Sequence, residues 1–112
     1  MVLDWLDKLS FNRILILWVS VVIFFGFSYH LFVSENSFLV YSKNGINVDS
    51  LSDAVYFSFV TATTTGFGDI IPSGSFKLLA ILEVISGFIL LVLVTSKLVS
   101  IKQDAIMNAL YD

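Results

Sequence analysis

Two apolar stretches of membrane-crossing length restrict this chain more than any other feature. Residues 14–33 carry no ionisable side chain except Tyr29 and His30, and residues 78–96, between Lys77 and Lys97, are interrupted only by Glu83. As helices, both match the roughly 20 residues needed to span a hydrocarbon core of about 30 Å. A third apolar run, residues 51–63, would be about 20 Å long as a helix, which is too short to cross. With 57% apolar and 13% charged residues and a mean hydropathy of +0.92, the 112-residue chain falls outside the range of soluble domains and reads as one small membrane domain. No cysteine is present, which excludes disulfides, and one histidine is too few for a His-rich zinc site. A net charge of −3 without a basic cluster points away from nucleic acid.

The first stretch is too long for the apolar core of a signal peptide. Asp4 and Asp7 precede it and no Ala-x-Ala site follows. Lys8, Arg13, Lys97 and Lys102 flank the terminal ends of the two spans, whereas the connection between them holds only Lys43 and Lys77. The positive-inside rule therefore predicts a multi-pass cell-membrane protein with both termini cytoplasmic, and residues 34–76 outside or within the outer leaflet.

The expected order is as follows. Residues 2–11, with Leu3, Leu6 and Leu9 three apart and Trp5 beside them, form an interfacial amphipathic helix. Residues 12–33 form the outer transmembrane helix, in which Trp18 lies deep enough to pack. Residues 34–50 are a polar extracellular loop with a turn at Asn44-Gly45, and Asp49 or Ser50 caps the next helix. Residues 51–63 form a re-entrant helix whose C-terminal dipole end points into the membrane and favours a cation. Residues 64–69 follow, then a loop with a turn at Pro72, an inner transmembrane helix over 76–100, and a cytoplasmic tail over 101–112 that begins as a helical extension. The predicted fold class is an all-α membrane protein.

Between the short helix and the second span stands Thr61-Ala-Thr-Thr-Thr-Gly-Phe-Gly-Asp69. Irregular backbone at membrane depth is tolerated only where it is buried in protein or lines a water-filled path. Glycines around an aromatic allow unusual backbone angles, and the threonines add hydroxyls and carbonyls, so such a run can aim oxygens at a dehydrated cation.

The helix, the re-entrant helix, the run Thr64-Thr65-Gly66-Phe67-Gly68-Asp69 with Pro72, and the second helix together resemble the two-transmembrane tetrameric potassium channels of the prokaryotic pore-domain type. The resemblance covers nearly the whole chain and implies a potassium-selective pore subunit, not an enzyme, with potassium as permeant ligand and no cofactor. It implies that the carbonyls of Thr64, Thr65, Gly66 and Phe67 form stacked potassium sites, that the Thr64 hydroxyl closes the innermost, and that Gly68 faces the outer mouth. The Phe67 ring is expected to point away from the pore and to pack on re-entrant helices. A dehydrated potassium ion needs about eight oxygens, carbonyls can replace its hydration shell, and one strand supplies only a few. Four copies around an axis are therefore expected, as a homotetramer in the lipid bilayer. The alternative is a non-selective monovalent cation channel of the same architecture.

Departures from the family pattern concern filter support. Thr65 replaces a usual valine or isoleucine, and Phe67 replaces a tyrosine. Phe57 falls where many relatives have a tryptophan that holds the aspartate matching Asp69, and Val60 falls where one relative has a glutamate. Asp69 is therefore expected to lack the indole partner and to have fewer partners, leaving a filter that depends on bound potassium, the alternative being that Asp69 pairs elsewhere, with Tyr56 or a buried water. Glu83, a carboxyl inside a membrane helix, is a functional candidate by default. It is read either as a protonated or hydrogen-bonded support of the re-entrant helix through Thr61 or Ser58, or as a group reaching for the outer interface. If Gly87 is a hinge, the helical period places Leu91, Thr95 and Val99 toward the axis, with Phe88 near the top of the cavity. His30 reads as an interfacial or packing residue. Arg13 is the only arginine, so these residues hold no Arg-rich voltage sensor, and the polar ending allows for a regulatory domain missing from this chain.

Overall fold

The computed structural model describes residues 10–111. The interfacial helix expected over 2–11 lies outside them, except that its last two positions open the first span. Ser10 is the N-cap of α1 (Phe11–Leu31), its Oγ accepting the Arg13 amide at 3.3 Å. Next come β1 (Ser37–Tyr41), α2 (Leu51–Ala62), β2 (Ile70–Gly74) and α3 (Phe76–Tyr111). Both α1 and α3 are long and apolar enough to cross a membrane, whereas α2 has only 12 residues. Ser50, not Asp49, caps α2 and accepts the Asp53 amide at 3.4 Å.

The chain is mostly helical, as expected, but the polar loops hold an unexpected two-stranded antiparallel sheet. Its register runs from Ser37 opposite Gly74 to Tyr41 opposite Ile70. Phe38, Leu39, Val40 and Tyr41 suit a half-buried strand. Pro72, opposite Leu39, is tolerated because both strands of a two-stranded sheet are edges. Gly74 has φ +64°, and a Cβ there would lie 1.7 Å from the Asn36 carbonyl oxygen, so only glycine fits.

The helical extension expected beyond Lys97 is present: α3 runs without a break to Tyr111, through the segment set apart as a tail from residue 101. Residues 101–111 contain no glycine or proline and include Lys102, Gln103, Ala105, Met107, Ala109 and Leu110, all favourable in helices.

Packing wedges α2 between the spans. Tyr29, Leu39, Val48, Ala54, Phe57, Ile70 and Phe76 form the larger buried cluster. Within it the Tyr29 ring meets Phe57 edge-on at 5.1 Å and Phe76 at 5.3 Å. Trp18, Val22 and Ala62 form a second cluster, with the Trp18 ring 6.1 Å from Phe59. Two glycines set the spacing. A Cβ on Gly26 would lie 3.0 Å from Val55, and one on Gly87 would lie 3.0–3.1 Å from Ala62. Hydroxyls in the apolar helices are satisfied locally: Ser20, Ser28, Ser86 and Thr95 each donate to the carbonyl four residues back.

Candidate ion pathway

At its C-terminus α2 turns directly into the Thr/Gly run. The last carbonyls of a helix lack intrahelical donors, and here the run supplies them. The Val60 carbonyl accepts the amides of Thr65 (3.0 Å) and Gly66 (3.4 Å), and the Thr61 carbonyl accepts the Thr64 amide at 3.1 Å. Amides are thus consumed on the helix side. The carbonyls of Thr64, Thr65, Gly66, Phe67 and Gly68 accept no hydrogen bond among the described residues. Backbone φ is positive at Thr64 (60°), Gly66 (58°) and Gly68 (81°) but not at Thr65 or Phe67. Alternating handedness of this kind turns successive carbonyls to the same side of the strand. Glycine occupies such angles freely, whereas Thr64 is β-branched and strained there. Strain of this sort persists where surrounding structure over-determines it, often at functional sites.

Hydroxyls stiffen the back of the run. Thr63 Oγ1 donates to the Phe59 carbonyl at 2.7 Å and lies 2.9 Å from Thr65 Oγ1, so the unusual Thr65 hydroxyl is tied to its neighbour. Thr64 Oγ1 donates to the Thr63 carbonyl at 2.6 Å. Phe67 is 69% exposed within a single chain.

Asp69 is not short of partners, which corrects the expectation from Phe57 and Val60. Tyr56 donates its hydroxyl to Asp69 Oδ2 at 2.8 Å, the Ile70 amide reaches Oδ1 at 3.1 Å, and the Ser42 amide donates to the Asp69 carbonyl at 2.9 Å. The donor position is one residue earlier than supposed. Phe57 is instead buried against Tyr29 in the core. Val60 contributes through its carbonyl, not its side chain. At the other end of α2, Tyr41 donates to Asp53 in the first helical turn. That hydrogen bond, with lesser help from desolvation and the Asp53 charge, raises the pKa of the phenol above its ordinary value.

One consequence follows for the support of the run. Tyr56→Phe removes the hydroxyl held by Asp69 Oδ2 and should speed amide hydrogen exchange at Asp69 and Ile70 by about tenfold. Coincident exchange rates in Tyr56→Phe and the parent would show that this hydrogen bond does not hold the end of the run.

Residues 16–103 match a protein family described as "Ion channel". The chain belongs to this ion-channel family. It is 38% identical over 81 residues to the "Two-pore potassium channel 4" of Arabidopsis thaliana, covering 68% of this chain and 28% of that protein. It is 41% identical over 71 residues to the "Voltage-gated potassium channel Kch" of Escherichia coli strain K12, covering 61% of this chain and 17% of that one. The aligned chain therefore spans less than a third of the length of either relative. No solved structure matches.

The inner helix of this ion-channel chain differs in two ways from the expected gate. Gly87 lies inside a continuous helix and is buried against Ala62, so it serves close packing here. Leu91 packs on the Trp18–Val22–Ala62 cluster and separates from Phe88, Thr95 and Val99, which are exposed. The face turned to α1 and α2 runs through Glu83, Gly87, Leu90, Leu91 and Val94, and four-residue steps from Gly87 have left it by Thr95. Glu83 is fully buried and does not reach the interface. It accepts the Tyr29 hydroxyl at 3.0 Å on Oε1 and contacts Ser58 Oγ through Oε2, so its partner on α2 is Ser58 and not Thr61. Tyr29 and Ser42 were missed from sequence, whereas Tyr56 is the alternative partner that sequence offers for Asp69. For Tyr29 a signal existed, since a phenol in a membrane span needs an acceptor.

Proposed function

We propose that this chain is the pore-forming subunit of a potassium-selective channel, working as a homotetramer in the cell membrane with both termini in the cytoplasm. The observation that carries the reading is the row of five carbonyls, Thr64 to Gly68, left without hydrogen bonds on a strand of alternating handedness. In a hydrocarbon environment an unpaired carbonyl costs several kcal/mol unless something else satisfies it. A permeant cation does so, and four such strands replace its hydration shell. The names of both relatives, each a potassium channel, support potassium as that ion. The exposed Phe67 ring would find its packing surface on neighbouring copies.

Conduction in this reading needs no covalent chemistry. The ion sheds water at the inner end near Thr64, where the negative end of the α2 dipole favours a cation, passes between carbonyl layers of similar depth, and rehydrates beyond Gly68. The α2–run hydrogen bonds and the Tyr56–Asp69 link hold the oxygens at fixed spacing.

Reversal potentials in bi-ionic potassium/sodium solutions test this. Purified chain in planar bilayers should conduct potassium and rubidium and largely exclude sodium. Comparable sodium and potassium permeability would establish the non-selective channel instead, and absence of cation current from assembled protein would remove the channel reading.

A further inference from the structure

The buried Glu83 node fixes the position of a proton. Glu83 and Ser58 are wholly buried and Tyr29 is 1% exposed, and they meet where α3, α2 and α1 converge. The groups facing the carboxyl are the Tyr29 hydroxyl from α1 and the Ser58 hydroxyl from α2, both neutral. Ser58 Oγ has two oxygens within hydrogen-bond reach, the Val22 carbonyl at 2.6 Å and Glu83 Oε2. A serine hydroxyl owns one proton, a carbonyl only accepts, and an ionised carboxylate only accepts. With Glu83 ionised, three oxygens would share that single proton, and one contact would place two lone pairs face to face. A proton on Oε2 satisfies every contact.

We propose that Glu83 is a neutral carboxylic acid that donates to Ser58, closing a one-way chain from the Tyr29 hydroxyl to Glu83, from Glu83 to Ser58, and from Ser58 to the Val22 carbonyl, and that this chain positions the ion-coordinating strand. The chain ties both spans to one residue of α2. Ser58 lies two positions before Val60, whose carbonyl takes the Thr65 and Gly66 amides. One turn along, Gly87 meets Ala62, so α3 grips α2 at two points spaced four residues apart on each helix. Glu83 is therefore a positioning residue. It touches no ion, and it sets where the end of α2 presents the strand. The conduction readout rests on the channel reading above; the protonation readout does not.

The experiment compares the full chain with Glu83→Gln and Glu83→Leu in lipid at neutral pH. Infrared difference spectra, parent minus Glu83→Gln, should show a protonated-carboxyl C=O band that is lost in the variant. Glutamine can accept from Tyr29 through its carbonyl and donate to Ser58 through its amide, so Glu83→Gln should keep potassium current within about twofold of the parent, whereas Glu83→Leu should lose about tenfold or more in open probability. Absence of the infrared band overturns the proton assignment. A Glu83→Gln current as low as that of Glu83→Leu overturns the positioning role. If no variant and no parent channel selects potassium, yet the band is present, the channel reading fails and the proton assignment stands.

Discussion

Gly66→Ala is expected to abolish conduction while leaving the protein assembled. Gly66 has φ +58°, and a Cβ there meets no atom within 4 Å, so the cost is conformational and not a clash. An L-residue in the left-handed region costs about 1–2 kcal/mol, and four copies around one axis would accumulate about 4–8 kcal/mol against the aligned strand. Turning the peptide out of line relieves that cost and removes a carbonyl from every layer it serves. Single-channel recordings should show at least about a hundredfold loss of current, since each 1.4 kcal/mol is a factor of ten in population. Gly45→Ala is the control. Gly45 also has positive φ (71°) and open space around it, but it sits in the connection between β1 and α2, so its substitution should lower stability slightly and spare conduction. Normal current through Gly66→Ala would contradict the strand geometry on which the functional reading rests.

Gly74→Ala is expected to unpair the two-stranded sheet. The Cβ would lie 1.7 Å from the Asn36 carbonyl oxygen and 2.6 Å from its carbon, both backbone atoms that cannot rotate away. Relief requires moving residues 36–37, which breaks the Ser37–Gly74 pairing and the hydrogen bond from the Ser75 amide to Asn36 (2.9 Å). Strain at the left-handed φ adds about 1–2 kcal/mol. Amide hydrogen exchange should accelerate across Ser37–Tyr41 and Ile70–Gly74 by about tenfold or more, while the centres of α1 and α3 keep their protection. Unchanged exchange in both strands would mean that the sheet tolerates the displacement.

Length and hydropathy made the two spans and the short middle helix readable from sequence, because the bilayer imposes a fixed length. The Thr64–Asp69 run was readable for a related reason. Gly66 and Gly68 mark backbone demands that side-chain variation elsewhere cannot disguise. The two-stranded sheet was hidden because Pro72 suggested a turn and because β1 and β2 are separated by all of α2, so no local pattern shows that they pair. Tyr56 was visible from sequence only as the alternative to a missing donor at position 57. Which of two adjacent aromatics, Tyr56 or Phe57, faces Asp69 depends on the rotation of α2, which is set by contacts such as Gly26–Val55 and Gly87–Ala62 and not by α2 alone. The same reasoning applies to Leu91, whose face is fixed by its packing on Trp18, Val22 and Ala62 and not by four-residue steps counted from Gly87.

The length of α3 has a mechanical consequence. Its 36 uninterrupted residues account for most of the 62 Å long dimension of the chain. Gly87 rests on Ala62 and acts as a fulcrum. From there to Tyr111 is about 36 Å, and from there back to Glu83 is about 6 Å, at 1.5 Å per residue. A tilt of about 10° about that point would sweep the Tyr111 end through about 6 Å and shift Glu83 by about 1 Å. The helix is thus a reducing lever of about six to one. Large, weak displacements at its far end arrive at the carboxyl as small, forceful ones, on the scale at which a hydrogen bond is either kept or lost.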